Sequence, residues 1–328
     1  MTGLRITALA GGIGAARFLT GLLAEVAETH PGSEVTVIGN TADDVTLFGL
    51  HVSPDLDTVM YTLGGGVHPE QGWGRADETF HAREELAAYG VGPTWFGLGD
   101  RDLATHVVRT QMLGGYPLSE VTAALSRRWL DDLPVPVRLV PMTDDRVETH
   151  VVVDEPGSGR RALHFQEWWV RLRASLPAEK ITLVGIEQAR PAPGVLEALA
   201  TADVIVLPPS NPVVSIGPIV SVPGVRDALA ASNAPVVGVS PIIAGRPVRG
   251  MADACLAAIG VETSAAAVAG LYADLLDGWL VDVSDADSVD AVEALGVAAR
   301  SVPLLMSDEK ATRALAADTL ALGETVRR

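Results

Sequence analysis

The chain has 328 residues, of which 48% are hydrophobic and 5% aromatic, and its formal net charge is −17 at pH 7. This length allows one large α/β domain or two moderate ones, and the composition suits a parallel sheet covered by helices. The charge argues against a nucleic-acid partner and against an anionic membrane surface, because basic surfaces bind phosphate groups. The single cysteine, Cys255, excludes a disulfide within the chain and is typical of a packed thiol.

The first sixty residues predict a parallel βαβ unit. A buried strand at residues 4–10 leads through a glycine loop at 11–14 into a helix at 15–29, and a second buried strand follows at 34–39. Arg5 before an apolar stretch resembles a signal peptide, but the glycines favour strand, loop and helix instead. No apolar run reaches the roughly 18 residues of a transmembrane helix, so a cytoplasmic location is predicted.

The middle of the chain is predicted to be largely helical. Ser53 and Pro54 predict a helix start with Ser53 as the N-cap. Further helices are predicted at residues 77–89, 103–112 and 118–130, and strands at 135–140 and 148–153. We interpret residues from roughly 65 to 176 as an insertion that caps the sheet.

The sheet is predicted to resume after this insertion. Strands are predicted at residues 180–185, 202–207, 234–239, 279–283 and 302–306, and a final helix begins at Glu309. The fold prediction is α/β: one doubly wound, mostly parallel Rossmann-like domain over residues 1–328, with the largely helical insertion.

Polar side chains are concentrated after the second predicted strand. Gly39-Asn40-Thr41-Ala42-Asp43-Asp44 is followed closely by Ser53-Pro54-Asp55-Leu56-Asp57-Thr58. Carboxylates placed close together repel each other, but a divalent cation takes oxygen ligands. Metal or substrate roles are therefore favoured for Asp44 and Asp57, whereas turn or helix-dipole roles stay equally open for Asp43 and Asp55. No structural role in the helix start is expected for Asp57.

Glycines between the first strand and helix indicate a phosphate site. At Gly11-Gly12-Ile13-Gly14, backbone N–H groups can approach an anion at the helix N-terminus, although a tight turn alone would also need glycine. The dinucleotide fingerprint is not met, because Arg17 replaces its third glycine and Asn40 stands where an acidic ribose ligand is expected. Hydride transfer is therefore disfavoured.

Three later segments are further site candidates. Gly97–His106 enters a helix on which Arg101 and Arg109 supply positive charge, although solvated arginines and a surface His106 remain alternatives. The segment from Pro208 to Pro218 suits a nucleobase or ribose, and Ser215 can also cap the next helix. Trp168-Trp169 is predicted to pack in the core, with stacking on a flat ring as the alternative.

These motifs resemble the 2-phospho-L-lactate transferases of coenzyme F420 biosynthesis over nearly the whole chain. Seven short motifs stand in the order of that family. They are Gly11-Gly12-x-Gly14, Gly39-Asn40-Thr41-x-Asp43-Asp44, Ser53-Pro54-Asp55-Leu56-Asp57-Thr58-Val59-x-Tyr61, Gly99-Asp100-Arg101-Asp102-x-Ala104-x-His106, Pro141-Met142-Thr143-Asp144-Asp145, Phe165-Gln166-Glu167 and Ser210-Asn211-Pro212-x-x-Ser215-Ile216.

The resemblance implies a magnesium-dependent transfer from a guanylylated three-carbon acid to the deazaflavin Fo, with GMP as the leaving group. It is strongest to the actinobacterial branch, in which the donor is the enolpyruvyl form. A lactyl donor remains open. The implied partners are these small molecules, no nucleic acid, no membrane and a second copy of the chain in a homodimer.

The resemblance also implies site roles. Asp57 and Asp44 would be catalytic, and Mg²⁺ would be bound by Asp44, Asp57 and Asp43. The deazaflavin would contact Asp57, Arg101, Thr58 and His106. The implied nucleotide-binding residues are Gly11, Gly12, Gly14, Asn40, Thr41, Ser210, Asn211, Ser215 and Ile216. The alternative function is a non-enzymatic regulatory protein that binds a nucleotide or nucleotide sugar.

Overall fold

The computed structural model describes residues 3–326 as strands and helices in regular alternation over much of the chain. The strands are β1 (Arg5–Ala10), β2 (Glu34–Gly39), β3 (Val45–Leu47), β4 (Leu50–Val52), β5 (Val137–Pro141), β6 (Glu148–Glu155), β7 (Gly159–His164), β8 (Ala178–Val184), β9 (Val204–Leu207), β10 (Val236–Val239), β11 (Ile242–Ile243), β12 (Arg246–Pro247), β13 (Gly278–Asp282) and β14 (Ala298–Val302).

The α-helices flank these strands or connect them. They are α1 (Gly12–Thr29), α2 (Pro54–Leu63), α3 (His81–Ala88), α4 (Asp100–Leu113), α5 (Leu118–Leu130), α6 (Val195–Thr201), α7 (Gly217–Ser221), α8 (Val225–Ala231), α9 (Ala252–Ala258), α10 (Ala265–Gly270), α11 (Val289–Glu293) and α12 (Glu309–Thr325). Short π-helical turns lie at Glu167–Arg171 and Pro212–Ile216, and short 3-10 helices at Ile186–Gln188 and Val283–Ser288.

The central sheet has seven strands in the order β14-β13-β10-β9-β1-β2-β5, and each neighbouring pair is parallel. The chain builds the sheet outward from β1 through β2 to β5, and then from β9 through to β14 on the other side. The strand order therefore reverses between β1 and β9. Open α/β sheets bind ligands at this kind of reversal, outside the carboxyl ends of the strands.

Both faces of the central sheet are buried under helices. Ile6 and Ala8 of β1 pack with Phe18 of α1 on one face, whereas Leu9 packs with Ile205 on the other. Every residue of β9 is buried, as expected for a parallel strand covered on both faces. A side chain such as Phe18, which has no exposed surface, contributes roughly 2 kcal/mol through burial. The two apolar faces hold the carboxyl ends of the strands rigidly in place.

A hairpin that the sequence analysis did not predict joins β3 to β4. Phe48 and Gly49 form its two-residue turn with φ angles of 53° and 77°, the left-handed combination of a type I′ turn. Val45 pairs with Val52 in the hairpin, so the residues next to them, Asp44 and Ser53, lie side by side. The hairpin thereby joins the two halves of the polar sequence cluster.

Three predicted strands differ from the observed ones. The strand predicted at 180–185 is β8, which pairs antiparallel with β6 in a separate three-stranded sheet of order β7-β6-β8. The strand predicted at 135–140 inside the insertion is β5, an edge strand of the central sheet. The strand predicted at 302–306 occupies Ala298–Val302 instead. An apolar run indicates a strand but not the sheet that it joins, which depends on distant partners.

The three helices between residues 65 and 136 were all predicted, and two of them differ from the prediction at their ends. α5 coincides with the predicted helix at 118–130, α4 begins three residues earlier than predicted, and α3 spans His81–Ala88 within the predicted 77–89. The organisation as one domain with an insertion at roughly 65–176 stays a prediction. Within residues 3–326 no single helix is long and apolar enough to cross a membrane. The helical segments Pro212–Ser221 and Val225–Ala231 reach the required length and hydropathy only when taken together, and an 83° bend separates them.

Candidate active site

A cavity of about 500 Å³ opens at the carboxyl edge of the central sheet, at the reversal between β1 and β9. Its volume lies in the usual range for small-molecule sites. The starts of α1 and α2, the buried face of α4 and the loop after β9 all contribute to its wall. The predicted site residues in the lining are Gly11, Gly12, Gly14, Asp43, Asp57, Thr58, His106, Ser210, Asn211 and Ser215.

The other predicted site residues lie outside this lining: Asn40, Thr41, Asp44, Arg101 and Ile216. Ile216 is buried in the core of the sheet. The Arg101 side chain is half exposed, with Nη1 at 3.9 Å from Asp77 Oδ2. Thr41 is buried, and its Oγ1 has no hydrogen-bond partner among the described residues. The ligand contacts assigned to these residues stay predictions.

The glycine loop at the start of α1 is required by close packing. A Cβ on Gly11 would lie 2.7 Å from the Cβ of Ser215, and one on Gly14 would lie 2.2 Å from the carbonyl oxygen of Pro209. The Gly12 N–H donates to Asp55 Oδ1 at 2.9 Å. One of the N–H groups expected to bind phosphate is therefore already held by a carboxylate of the chain.

Asn40 holds Asp55, which lines the cavity, by a hydrogen bond. The Asn40 amide Nδ2 donates to Asp55 Oδ2 at 2.8 Å and to the carbonyl oxygen of Val214 at 3.1 Å. Asn40 Oδ1 accepts from the backbone N–H of Ala42. Burial raises the pKa of Asp55 to about 6, although the bonds from Asn40 and Gly12 oppose this rise. The asparagine that stands where an acidic ribose ligand is expected thus joins the loop after β2 to the start of α2 and to the turn after β9.

Asp43 is a buried carboxylate in the cavity wall. Its Oδ1 has no hydrogen-bond partner among the described residues. Burial raises the pKa of Asp43 well above its ordinary value, and repulsion from Asp55 adds to this effect. A cation near Asp43 would relieve both costs.

Asp44 lies behind the cavity wall. Its Oδ2 accepts from Ser53 Oγ at 2.7 Å and lies 2.8 Å from His51 Nε2. Burial raises the pKa of Asp44, while the His51 bond opposes the rise. Because the Ser53 side chain is engaged here, it makes no capping bond to α2, and the predicted N-cap is wrong in this respect.

Asp57 has a structural partner that the sequence analysis did not foresee. Both of its oxygens accept from Arg109, from Nη1 at 3.0 Å and from Nη2. Asp57 is 5% exposed and Arg109 is 1% exposed, so this is a buried, two-pronged ion pair. Asp57 therefore has a structural role, pairing with Arg109, that lies outside the helix start considered in the sequence.

The buried face of α4 is entirely polar. Asp102, His106 and Arg109 are its buried residues, and their spacing places them on one side of the helix. Tyr61 of α2 donates its hydroxyl to Asp102 Oδ1 at 2.8 Å. Burial opposes ionisation of Asp102, but its interactions with His106, Tyr61 and Arg109 together outweigh this effect, and the net pKa of this carboxyl is lowered. Arg109 was already expected to supply positive charge here, and helical spacing from His106 could also have indicated Asp102.

The loop after β9 closes the other side of the cavity. Ser210 Oγ donates to the carbonyl oxygen of Gly11 at 3.0 Å. Asn211 Oδ1 accepts from the N–H groups of Val213 and Val214, so Asn211 caps the turn that follows it. Ser215 lies inside that turn, and its predicted role as a helix cap is wrong because Asn211 fills it. Ser215 instead lines the cavity, where its Cβ lies against Gly11.

Trp168 and Trp169 lie in different environments, one in the core and one in the cavity wall. Trp168 is fully buried in the cluster beneath the three-stranded sheet, as predicted, and its Nε1 donates to the carbonyl oxygen of Leu176. Trp169 lines the cavity. Cys255 is buried as predicted, and burial raises the pKa of its thiol to about 12, which makes it a poor nucleophile.

Two arginines in the lining were not predicted as site residues. Arg17, on the first turns of α1, donates to the carbonyl oxygen of Ser307. Arg249 donates to the carbonyl oxygens of Gln71 and Glu70 across the cavity mouth. Arg17 follows the glycine loop by one helical turn, and this spacing could have indicated it; Arg249 has no comparable sequence signal.

The donor atoms of the cavity suit a hard cation. Magnesium takes oxygen ligands, and Asp43 Oδ1 is a buried oxygen without a partner in the described chain. Asp57, Asp102 and His106 also offer ligand atoms within 4.8 Å of one another, so this group can hold a metal ion. The Arg109 guanidinium already faces Asp57 and His106, however, and its charge opposes a second cation there. The carboxylates therefore fit magnesium best on the Asp43 side.

Comparison with protein families and relatives places the chain among transferases. The family model described as 2-phospho-L-lactate transferase CofD matches residues 6–318. The chain is 65% identical over 326 residues to the phosphoenolpyruvate transferase of Streptomyces coelicolor, covering 99% of each chain. It is 53% identical over 324 residues to that of Mycolicibacterium smegmatis, covering 95% of this chain and 96% of that one.

A solved structure shows the same fold. A protein of the UPF0052 family from Bacillus halodurans superposes with a TM-score of 0.63 over 98% of this chain and 99% of its own, at 18% sequence identity. At this identity the likeness concerns the fold alone. It confirms the α/β class with a parallel sheet flanked by helices.

Proposed function

The chain belongs to the 2-phospho-L-lactate transferase CofD family, and from this premise we propose that it moves a phosphoenolpyruvyl or 2-phospho-L-lactyl group from a GDP-linked donor to the deazaflavin Fo. The product is (dehydro) coenzyme F420-0, and GMP is released. The names of the actinobacterial relatives favour the enolpyruvyl donor.

The observation that carries this proposal is that one cavity joins a helix start to a carboxylate cluster. The first turn of α1 and the loop from Ser210 to Ser215 form one wall, which suits the phosphates and guanosine of the donor. Asp43, Asp57 and the polar face of α4 line the same cavity. A cavity at the strand-order reversal brings a donor and an acceptor together.

The proposed reaction is a displacement at phosphorus. The terminal hydroxyl oxygen of Fo forms a bond to the phosphorus that carries the three-carbon acid, the bond from that phosphorus to the GMP oxygen breaks, and the Asp57 carboxylate in the cavity wall accepts the hydroxyl proton. The protein forms no covalent intermediate; it positions both substrates and stabilises charge on the phosphoryl oxygens. Arg17 and Arg249 provide positive charge within the lining for the anionic donor.

Magnesium is the proposed cofactor, and Asp43, whose Oδ1 has no partner in the described chain, would hold it. When bound, it would stabilise the negative charge of the donor phosphates as a Lewis acid. Asp44 lies one layer behind, where Ser53 and His51 orient it. The proposal therefore gives Asp44 a supporting role next to the magnesium ligands.

The acceptor side of the proposal involves the start of α2 and α4. Thr58 and His106 line the cavity together with Asp57, which supports the proposal that they contact the deazaflavin. A contact from Arg101 would require its side chain to move inward. A homodimer and a cytoplasmic location complete the proposal by analogy with the family.

We expect the purified protein to convert Fo into a phosphodiester only when magnesium and a guanylylated donor are both present. Mass analysis of the deazaflavin after incubation with the enolpyruvyl or the lactyl donor measures the product and the donor preference. A matched reaction with chelator in place of magnesium is the control. If neither donor gives product while GDP still binds, the transferase proposal fails and a nucleotide-binding regulatory role is favoured instead.

We expect Ser215→Ala and Asn211→Ala to weaken GDP binding by roughly tenfold and to leave Fo binding nearly intact, because both side chains face the proposed donor side. Asn211→Ala should also cost about 1 kcal/mol of stability, since it removes a cap. Calorimetry with GDP and with Fo separates these effects. Ser221→Ala, at an exposed position of α7, is the control. Unchanged GDP affinity in both folded variants would show that the loop is only structural.

A further inference from the structure

α4 reverses the usual arrangement of an amphipathic helix. Its buried residues are Asp102, His106 and Arg109, while Val107 and Val108 are 37% and 43% exposed. Burying ionisable groups is costly unless each has a partner. The hydrogen-bond partners of these three side chains therefore have to be identified one by one, because a group without a partner in the chain is a candidate for ligand binding.

Arg109 determines the tautomer of His106. Its Nη1 lies 3.1 Å from His106 Nδ1, and the same guanidinium donates to both oxygens of Asp57. A guanidinium can only donate hydrogen bonds, so Nδ1 must be the acceptor. A neutral imidazole whose Nδ1 accepts carries its proton on Nε2.

His106 Nε2 has no hydrogen-bond partner among the described residues, although the side chain is 1% exposed and lines the cavity. Asp102 Oδ2 lies 3.4 Å away, and the other oxygen of Asp102 is held by the Tyr61 hydroxyl. The wall of the cavity therefore presents an N–H donor beside a carboxylate acceptor. A phosphate or a carboxylate would be repelled by Asp102, whereas a hydroxyl can accept from the first group and donate to the second.

We propose that Arg109 is a positioning residue that fixes His106 with its proton on Nε2, so that His106 Nε2–H and Asp102 Oδ2 together bind one hydroxyl group of the acceptor substrate. This inference rests on the proposed function, in which the acceptor carries a hydroxylated side chain. It assigns His106 the role of a hydrogen-bond donor to the ligand.

The tautomer is tested by nitrogen NMR on protein labelled with ¹⁵N-histidine. The chain has seven histidines, and the signals absent from His106→Gln identify those of His106. We expect a pyrrole-type Nε2 and a pyridine-type Nδ1 in the unmodified protein, and loss of this fixed pattern in Arg109→Lys, which keeps a positive charge for Asp57. An Nδ1-protonated ring in the unmodified protein would overturn the proposal. This result does not depend on turnover.

The hydroxyl contact is tested by ligand binding followed by fluorescence of the deazaflavin. Gln places an amide N–H near the position of Nε2, whereas Asn places it near Nδ1, so His106→Gln should retain Fo affinity and His106→Asn should lose about tenfold or more. A deazaflavin without side-chain hydroxyls should bind the unmodified protein and His106→Asn equally. Val108→Ala, on the exposed side of α4, is the control. Equal Fo affinity in His106→Gln and His106→Asn contradicts the hydroxyl assignment, even if the transferase reaction is confirmed.

Discussion

Asp57→Asn is expected to lower turnover at least about 100-fold and to destabilise the protein by about 3 kcal/mol or more. The catalytic loss follows from the position of Asp57 in the cavity wall, where its carboxylate is proposed to receive the hydroxyl proton. The stability loss follows from Arg109, because removing one partner of a buried ion pair leaves the other charge uncompensated. Steady-state kinetics and denaturant unfolding measure the two effects.

A double variant separates the structural role of Asp57 from the catalytic one. Asp57→Asn with Arg109→Met removes both charges, so much of the stability should return while turnover stays low. Asp131→Asn, at the exposed end of α5, should be close to neutral in both measurements. If Asp57→Asn keeps full turnover at saturating magnesium, Asp57 serves only to pair with Arg109, and the catalytic assignment is wrong.

The parts of the fold that were predictable are those determined by local pattern. The strand, glycine loop, helix and strand of the first forty residues need only apolar runs and turn chemistry, and β1, α1 and β2 match them closely. The hairpin of β3 and β4 was missed because its turn uses Phe48, a residue rarely found at positive φ. Sheet membership of β5 and β8 was also missed, since strand pairing is decided by distant partners.

The site was predictable to the extent that its residues follow strands or open helices. Asp43, Ser210 and the glycines of the α1 start lie where the carboxyl edge of a parallel sheet must place them. The Asp57–Arg109 pair joins residues that are 52 positions apart, and sequence spacing contains no information about such a contact. Asn40 lies outside the cavity lining and its amide bonds to Asp55 and Val214, contacts that the sequence did not indicate, whereas its predicted contact with the nucleotide stays a prediction.

The site contains a cluster of buried carboxylates. Asp43, Asp44 and Asp55 are all buried, and burial raises the pKa of each. Close carboxylates that are poorly compensated reduce the stability of the ligand-free protein, and they suit a site that gains a cation during function. The ion pair of Asp57 differs from this cluster, because its charge is balanced within the chain.

Asp43→Asn is therefore expected to lower activity and raise stability at the same time. Losing a proposed magnesium ligand should reduce turnover by about 100-fold or more and raise the magnesium requirement. At pH values above the raised pKa of Asp43, the free energy of unfolding without magnesium should rise by about 1 kcal/mol in the variant, because a buried and repelled charge is removed. The pKa of Asp43 is raised in the folded state, so the wild type loses stability as the pH rises through that pKa. The difference between variant and wild type should accordingly be largest above that pKa and close on acidification.

With magnesium present, the wild type should become more stable than Asp43→Asn. The ion binds only the folded wild type, so saturating magnesium should raise the wild-type melting temperature and leave that of Asp43→Asn almost unchanged. Melting curves of both proteins, with and without magnesium, measure this, and Asp131→Asn serves as a charge-matched control that should respond like the wild type. If magnesium stabilises Asp43→Asn as strongly as the wild type, the ion is held elsewhere, and the group formed by Asp57, Asp102 and His106 becomes the favoured metal site.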